Sequence, residues 1–415
     1  MLIHWLWLST RPNLSDRVKA GLLGHFRDAE DIYYADAAAL AVEGDLTQEM
    51  LDGLLDKDMT RARQILAECD RKQIHILTYQ DAAYPNRLRN IVDPPVVLYY
   101  KGRLPDFDAL PMIGVVGTRK ATPYGLTTAK RMGYQLASCG GVVVSGMAYG
   151  IDGMAMQGAL TAGSMVVGVL GNGVDVVYPE SNRSLFADVE RNGCLLSEFA
   201  PGTEPFKWNF PKRNRIISGL CCGVLVIEAP EKSGALITAR QASDQGRDVF
   251  AVPGNIDMPS CAGSNALLRD GAIMVSSGWD VLSEYQAQFP DILQDRCKPG
   301  HQLAYADEVA KASQQAEKPL PKVAQKPKLL GGKKSNGKKE IDNAQSSHYI
   351  DAEEKRPCLT EPEQTVFDQV QQGNTLVDDI IAQTRLPAGA VLAALTMLEV
   401  KGLIARLPGK RVTLK

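Results

Sequence analysis

The amino-acid sequence predicts an α/β protein, with a doubly wound parallel sheet between an N-terminal helical segment and a C-terminal winged helix. Short β-branched runs alternate with helical stretches from residue 74 to about residue 285, which is the spacing of repeated βαβ units. Several strands read as unbroken apolar runs, such as Val142–Val144 and Val224–Val226, and this indicates a parallel sheet buried on both faces. We therefore predict an extended Rossmann-like domain over residues 73–288.

The composition is that of a globular protein and excludes several classes. The 415 residues allow two or three domains. The formal net charge of −2 excludes a uniformly basic, histone-like protein but permits a local basic groove. We find no apolar run of about 18 residues, and the apolar start Met1–Leu8 has no basic segment before it, so we expect neither a transmembrane helix nor a signal peptide. The eight cysteines include no CxxC pair and the five histidines lie far apart, so we expect buried thiols, no metal and no other cofactor.

Residues 1–72 are predicted to form a helical bundle of the SAM or helix-hairpin-helix type. Val18, Leu22 and Phe26 recur at helical spacing, and Thr60 is placed to cap the last helix. A Gly-Leu-Leu-Gly turn at residues 21–24 resembles units that bind a DNA backbone, but the segment is not notably basic. A packing or partner-docking bundle is therefore the favoured interpretation.

Residues 289–358 are predicted to form a flexible linker. Between Lys318 and Lys339 the sequence has eight lysines and no acidic residue, and it shows no hydrophobic period. Two interpretations stay open: the charge adds weak, salt-sensitive attraction to nucleic acid, or the segment is only a solvated tether.

The final segment, residues 359–415, is predicted to be a winged helix. Thr360 and Glu363 form a capping-box pattern before the first of three helices, and Leu403–Leu414 reads as a β-hairpin. Such folds bind DNA or dock proteins, and the third helix has few groups for contacting bases, so docking is favoured. The hairpin and its flanks carry the basic residues Lys401, Arg406, Lys410, Arg411 and Lys415.

Two loops with small residues follow successive strands of the predicted sheet. Gly117–Lys120 follows the strand at 112–116, and Ser145–Ala148 follows the strand at 141–145. In open α/β sheets, ligands bind outside the carboxyl ends of the strands. Glycine lets a ligand approach the backbone, the arginine of the first loop suits a phosphate, and the helix starting near Thr122–Gly125 offers free amides to an anion. We expect Asp152 to support the second loop rather than to act as a general base.

The segment Phe206–Arg215 is the strongest signal for nucleic acid. It holds four cations and three aromatic residues within ten positions. Cations track a phosphate backbone, and aromatic faces stack on unpaired bases. For Phe206 and Trp208, core packing is an equally open interpretation. A further segment, Ser233–Arg240, reads as a helix N-terminus at the same edge of the sheet.

No recognisable catalytic arrangement accompanies these loops. The sequence has no Gly-x-Gly-x-x-Gly loop, no Walker lysine and no Ser/His/Asp set. The competing hypothesis is a nucleotide-processing Rossmann-like enzyme. Related enzymes carry a Pro-Gly-Gly-x-Gly-Thr-x-x-Glu segment, and Pro253-Gly254-Asn255 is only a fragment of it, without the Glu.

The order of motifs resembles the bacterial DNA-processing DprA (Smf) family over residues 74 to about 285. The resemblance rests on Tyr84-Pro85, Asp93-Pro94-Pro95, Gly117-Thr118-Arg119, Ser145–Asp152, Tyr178-Pro179, Ser197-Glu198, Phe210–Gly219 and Val252–Asn255. Thr118 stands where the family also has Ser.

The resemblance implies a cytoplasmic, non-enzymatic protein that binds single-stranded DNA. It further implies a homodimer formed through the Rossmann domain, which loads RecA onto incoming single strands during natural transformation, beside single-strand-binding protein and without membrane attachment. The DNA-binding residues predicted from the loops and from the resemblance are Gly117, Thr118, Arg119, Lys120, Ser145, Gly146, Ala148, Lys207, Phe210, Lys212, Arg213, Asn214, Arg215 and Arg240.

Overall fold

The structure, a computed structural model, describes residues 2–41, 46–297, 361–371, 376–384, 386–400, 403–407 and 411–414. The chain divides into two compact units, Met1–Pro321 and Lys322–Lys415. The first unit holds the helical segment and the sheet together. No described helix is both long enough and apolar enough to cross a membrane.

A single sheet of nine strands organises the first unit, in the order β1-β2-β6-β5-β4-β3-β7-β8-β9. The nine include the strands predicted at residues 112–116 and 141–145. Their bounds are β1 His75–Thr78, β2 Val97–Gly102, β3 Met112–Val116, β4 Val142–Ser145, β5 Val166–Val169, β6 Cys194–Ser197, β7 Gly223–Val226, β8 Asp248–Ala251 and β9 Ile273–Met274.

The prediction of a parallel sheet is confirmed from β3 to β9 and is wrong at one edge. There β1 pairs antiparallel with β2, and β2 pairs antiparallel with β6. The connection between β1 and β2 holds only a short helix, Asn86–Arg89. Parallel neighbours need a crossover of a dozen or more residues, usually a longer helix, whereas antiparallel neighbours do not.

The strand order reverses next to β3. Parallel partners β4 and β7 flank β3 on its two sides, so the chain winds outward through β4, β5 and β6 and then returns to β7, β8 and β9. Such a reversal leaves a crevice at the carboxyl ends of the strands, where ligands of open α/β sheets bind.

Helices cover the sheet on both faces. The first six precede the sheet: α1 Leu2–Ser9, α2 Asp16–His25, α3 Ala29–Tyr34, α4 Ala37–Leu40, α5 Gln48–Leu55 and α6 Thr60–Lys72. Those between or after the strands are α7 Asn86–Arg89, α8 Pro123–Ser138, α9 Ile151–Thr161, α10 Arg183–Asn192, α11 Asn209–Leu220, α12 Gly234–Asp244, α13 Ala262–Arg269 and α14 Gly278–Leu282.

The N-terminal helices share a hydrophobic core with the sheet. Trp7, Leu22 and Ile65 belong to the same buried cluster as Val143 of β4. The prediction that Thr60 caps α6 is wrong, because the helix begins at Thr60 itself, whose backbone N–H donates to the Asp58 carboxylate at 2.9 Å.

The chain remains packed beyond residue 288, the predicted end of the Rossmann-like domain. Phe289 and Leu293 are buried in the core, and the backbone N–H of Gln294 donates to the carbonyl of Cys139 at 3.1 Å. The remainder of the predicted linker, from residue 298, lies outside the described residues.

The second unit has the three helices and hairpin predicted for a winged helix. The helices are Glu361–Gln371, Val377–Thr384 and Ala388–Val400, and the hairpin pairs β10 Ile404–Leu407 with β11 Arg411–Leu414. Val366, Ile380, Leu395 and Val412 are among its buried residues. Thr360 and the basic residues Lys401, Lys410 and Lys415 lie outside the described residues.

Helices α8 and α9 lie in unusually close contact because each has a glycine where they touch. A Cβ on Gly158 would overlap the Lys130 carbonyl oxygen, and a Cβ on Gly133 would overlap the Ala155 carbonyl oxygen.

We expect Gly158→Ala to destabilise the protein by about 1–3 kcal/mol, because the rigid helix backbones must separate. Thermal and denaturant unfolding measure this. Gly24→Ala in α2, where a Cβ meets nothing within 4 Å, is the control; equal unfolding midpoints for the two variants would contradict the argument.

Candidate nucleic-acid interface

A cleft of about 540 Å³ opens at the carboxyl ends of the parallel strands. Its walls are the loops that follow β3, β4, β5, β6 and β7. We call it the switch-point cleft because it lies where the strand order reverses. The predicted site residues that line it are Gly117, Thr118, Arg119, Ala148, Lys207, Phe210, Arg213 and Asn214.

A cation and an aromatic ring meet in this cleft. The guanidinium carbon of Arg119 lies 4.9 Å from the centroid of the Phe210 ring, within range of a cation–π contact. The Tyr178 ring lies beside Phe210, with centroids 5.5 Å apart. Arg119 is exposed and Phe210 is half-buried. The cleft thus presents an exposed positive charge beside an aromatic surface.

Arg213 plays a different part from Arg119, because it is buried in the wall. Its guanidinium donates to the carbonyl oxygens of Gly146, at 2.9 Å, and of Val169. Burial lowers the pKa of Arg213 to about 10, against the opposing attraction of Asp152. Arg213 therefore joins α11 to the loop after β4 and to the end of β5.

Asp152 supports the loop after β4, as the sequence predicts. The Gly146 backbone N–H donates to its carboxylate at 3.1 Å. Burial raises the pKa of Asp152, while Arg213 and the backbone donors Ala148 and Gly146 oppose the rise. Its oxygens are directed at the backbone that shapes the cleft.

The expectation of free amides at the start of α8 is wrong. The Glu228 carboxylate, buried after β7, accepts from the Thr122 backbone N–H at 3.1 Å and from its hydroxyl at 3.0 Å. The Gly125 N–H donates to the Thr122 hydroxyl oxygen at 3.1 Å. The protein's own acid therefore occupies the anion position at this helix end.

Two glycines of the predicted loops are required by protein contacts. A Cβ on Gly117 would overlap the Ile151 side chain, and a Cβ on Gly146 would overlap the Arg213 guanidinium. These contacts within the protein are sufficient to explain why both residues are glycine, so close approach of a ligand is not needed as the reason. Gly146 also lines a smaller pocket beside the cleft.

The helix start predicted at Ser233 does reach the cleft. Ser233 caps α12 by accepting from the Ala235 backbone N–H at 3.3 Å, and Lys232, Ser233 and Gly234 line the wall. The positive end of the helix dipole and the lysine both favour an anionic ligand there.

The structure places the remaining predicted residues outside the cleft lining. Ser145 is buried and donates to the Val115 carbonyl at 2.6 Å. Lys120 and Arg240 are exposed. Lys212 and Arg215 extend from α11 away from the cleft and contact a cluster of charged side chains.

This charge cluster joins α11 to α2, and its side chains are buried except that of Lys212. Arg215 pairs with Asp16 at 2.9 Å and with Glu198, and Lys212 pairs with Asp16 at 3.1 Å and with Glu198 at 3.4 Å. Burial raises the pKa of Glu198. For Asp16, burial acts in the same direction but is outweighed by Lys19, Lys212 and Arg215, so its pKa is lowered.

We expect Arg215→Ala to destabilise the protein by about 3–5 kcal/mol, because it leaves buried carboxylates without their main partner. Denaturant unfolding measures the change. The matched control is Arg17→Ala, an exposed arginine next to Asp16, for which we expect a change within about 0.5 kcal/mol. A fully stable Arg215→Ala protein would show that the cluster does not hold α11 in place.

Sequence reasoning missed several residues of the lining. Lys232 directly precedes the helix start that the sequence indicated, and Tyr178 belongs to the Tyr178-Pro179 motif of the resemblance, for which no role was predicted. Ile237 and Thr238 lie within the predicted segment Ser233–Arg240, but neither was predicted as a site residue; the first two turns of α12 bring them to the cleft. Among the described residues, no cluster of three or more His, Cys, Asp or Glu could hold a metal ion.

Comparison with known proteins places this chain in a family. The family model described as DNA recombination-mediator protein A matches residues 75–286, and that of the DprA winged helix domain matches residues 351–410. Protein Smf of Synechocystis is 33% identical over 98% of this chain and 97% of its own length. The DNA processing protein DprA of Bacillus subtilis is 41% identical over 53% of this chain and 74% of its own length.

A solved structure agrees with the sequence matches. The crystal structure of DNA processing protein A from Streptococcus pneumoniae superposes with a TM-score of 0.61 at 33% identity, over 68% of this chain and 98% of that one. The resemblance seen in the sequence is thereby confirmed: the chain belongs to the DNA recombination-mediator protein A family, also known as DprA or Smf.

Proposed function

We propose that this protein binds single-stranded DNA in the switch-point cleft and loads RecA onto the bound strand during natural transformation. The observation that carries the proposal is the exposed Arg119 guanidinium over the Phe210 ring. A guanidinium contacts phosphate through paired hydrogen bonds, and an aromatic face stacks on an unpaired base. The two groups therefore match adjacent parts of one nucleotide.

The chemistry of the cleft favours a single strand over a duplex. In a duplex the faces of the bases are already stacked on one another, so Phe210 has nothing to contact. Cations at separate points of the lining, Arg119, Lys207 and Lys232, suit a phosphate backbone that crosses the cleft. Membership of a recombination-mediator family supports the same conclusion.

We further propose that the cleft binds its ligand without catalysis. Asp152, which lines the cleft, and Glu228, which follows β7, are both engaged in protein contacts. Asp152 accepts from the Gly146 backbone, and Glu228 accepts from Thr122. An acid that acts in nucleotide processing must reach its substrate, so these contacts favour a binding protein over an enzyme. We propose that the protein acts on DNA in the cytoplasm, with RecA and single-strand-binding protein as partners.

We also propose a homodimer formed through the edge of the sheet at β9. Both residues of this edge strand are exposed, Met274 at 67% and Ile273 at 36%. An apolar edge strand is a ready surface for a second copy.

Arg119→Ala should weaken binding of an oligo-dT strand about tenfold or more while leaving unfolding unchanged, because it removes a charge-assisted phosphate contact. Fluorescence anisotropy with single- and double-stranded probes measures both affinity and strand preference. Arg103→Ala is the control. This exposed arginine directly follows β2, whose last residue pairs with the first residue of β6. It therefore lies at the amino ends of the parallel strands, away from the cleft at their carboxyl ends.

Equal affinity of Arg119→Ala and the unaltered protein would contradict the assignment of the cleft. The mediator role is measured separately, as RecA ATPase activity on strands coated with single-strand-binding protein. We expect the unaltered protein to increase the RecA ATPase activity on these coated strands, and we expect Arg119→Ala to increase it much less.

Met274→Glu should convert a dimer into a monomer, because it places a charge in the proposed apolar contact. Light scattering coupled to size exclusion measures the mass. Val92→Glu, at an equally exposed apolar residue before β2, should leave the mass unchanged. A dimer that survives Met274→Glu would exclude β9 as the interface.

A fragment ending at Cys297 should still bind single strands, because it keeps the whole cleft and the buried Phe289 and Leu293. Loss of the lysine-rich segment removes phosphate contacts, so log affinity should fall less steeply with log salt. A folded fragment with no affinity would place the main site in the C-terminal domain.

A further inference from the structure

Two aromatic side chains stand exposed beside the switch-point cleft. The rings of Phe206 and Trp208 stack with centroids 4.8 Å apart and planes 4° from parallel. Phe206 is 46% exposed and Trp208 is 70% exposed. The structure thus decides between the two interpretations left open by the sequence: this pair is not part of the core.

The pair belongs to the same segment that supplies the cleft. Its intervening residue, Lys207, lines the cleft together with Pro205. The Asn209 backbone N–H donates to the Phe206 carbonyl at 3.0 Å, which closes a turn directly before α11. Phe210 follows two residues after Trp208 and enters the cleft. A strand bound against Lys207 and Phe210 therefore runs close to the pair.

Water-exposed aromatic rings of this size need an explanation. Each ring covers one face of the other, and both side chains nevertheless remain exposed. Leaving so much apolar surface in water is unfavourable, and it is common where a ligand covers the surface. The neighbouring lysine and the continuity with a cleft lined by Arg119 and Lys232 favour an anionic ligand with flat apolar faces over an apolar protein partner.

We propose that Phe206 and Trp208 form a second base-stacking platform, outside the cleft, for a further nucleotide of the same single strand. The inference rests on the proposed function and extends it. Phe210 stacks a base inside the cleft, Lys207 holds the phosphate between the two positions, and Trp208 offers its free face to a base beyond the rim. Stacking of this kind tolerates any base.

Tryptophan fluorescence tests the platform directly. The sequence has four tryptophans; Trp5 and Trp7 are buried, Trp279 is half-buried, and Trp208 is the exposed one. We expect oligo-dT to quench the emission of the full-length protein, and we expect Trp208→Phe to lose most of the quenching while keeping its affinity, because phenylalanine still stacks.

The dependence on strand length separates the platform from the cleft. Trp208→Ala should bind a long oligo-dT about tenfold more weakly, yet bind a strand too short to leave the cleft as well as the unaltered protein does. Phe210→Ala should weaken both by a similar factor. Circular dichroism and thermal unfolding check that each variant is folded.

Each other outcome has a definite meaning. Full affinity of Trp208→Ala for long strands, with no quenching in the unaltered protein, would overturn the platform and leave the cleft intact. Absence of single-strand binding by the unaltered protein would overturn the proposed function itself. A change in the oligomeric mass of Trp208→Ala would identify the pair as a contact between copies of the chain and would also overturn the platform.

Discussion

Helix α11 is held by two buried arginines, and the cleft depends on this restraint. Arg213 reaches the carbonyls of Gly146 and Val169 on one side, and Arg215 pairs with Asp16 and Glu198 on the other. Buried guanidinium groups tolerate little displacement, because any lost partner leaves a desolvated charge. Helix α11 is therefore restrained from rotating about its axis and from shifting relative to the sheet, and this restraint holds Phe210 at the cleft. The N-terminal helical segment contributes through Asp16 to a site that it does not itself line.

The electrostatics of the cleft follow from which acids are already engaged. The chain as a whole has a formal net charge of −2, which gives no reason to expect an anionic ligand. Around the cleft, however, Asp152 and Glu228 accept from the backbone N–H groups of Gly146 and Thr122, while Arg119, Lys207 and Lys232 line the open space. Local distribution of charge, rather than its total, decides which ligand is attracted.

Sequence patterns predicted the strands and the cleft loops well, since both are set by local chemistry. Unbroken apolar runs such as Val142–Val144 are buried strands, and the residues directly after β3 do line the cleft. The sequence could not show which cations are engaged elsewhere. Arg215 pairs with Asp16, which lies 199 positions away in the chain, and Glu228 reaches Thr122 across 106 positions. Antiparallel pairing of β2 likewise depends on a partner, β6, that is distant in sequence.

The three aromatic residues of one short segment show how a local change of backbone divides their roles. Phe206, Trp208 and Phe210 are spaced two apart, which in an extended chain would place them on one side. The helix begins at Asn209, so only Phe206 and Trp208 precede it, and they stack on each other. Phe210, in the first turn of the helix, is turned away toward Tyr178 and Arg119. One helix boundary thus converts a single row of rings into a ring inside the cleft and a pair outside it.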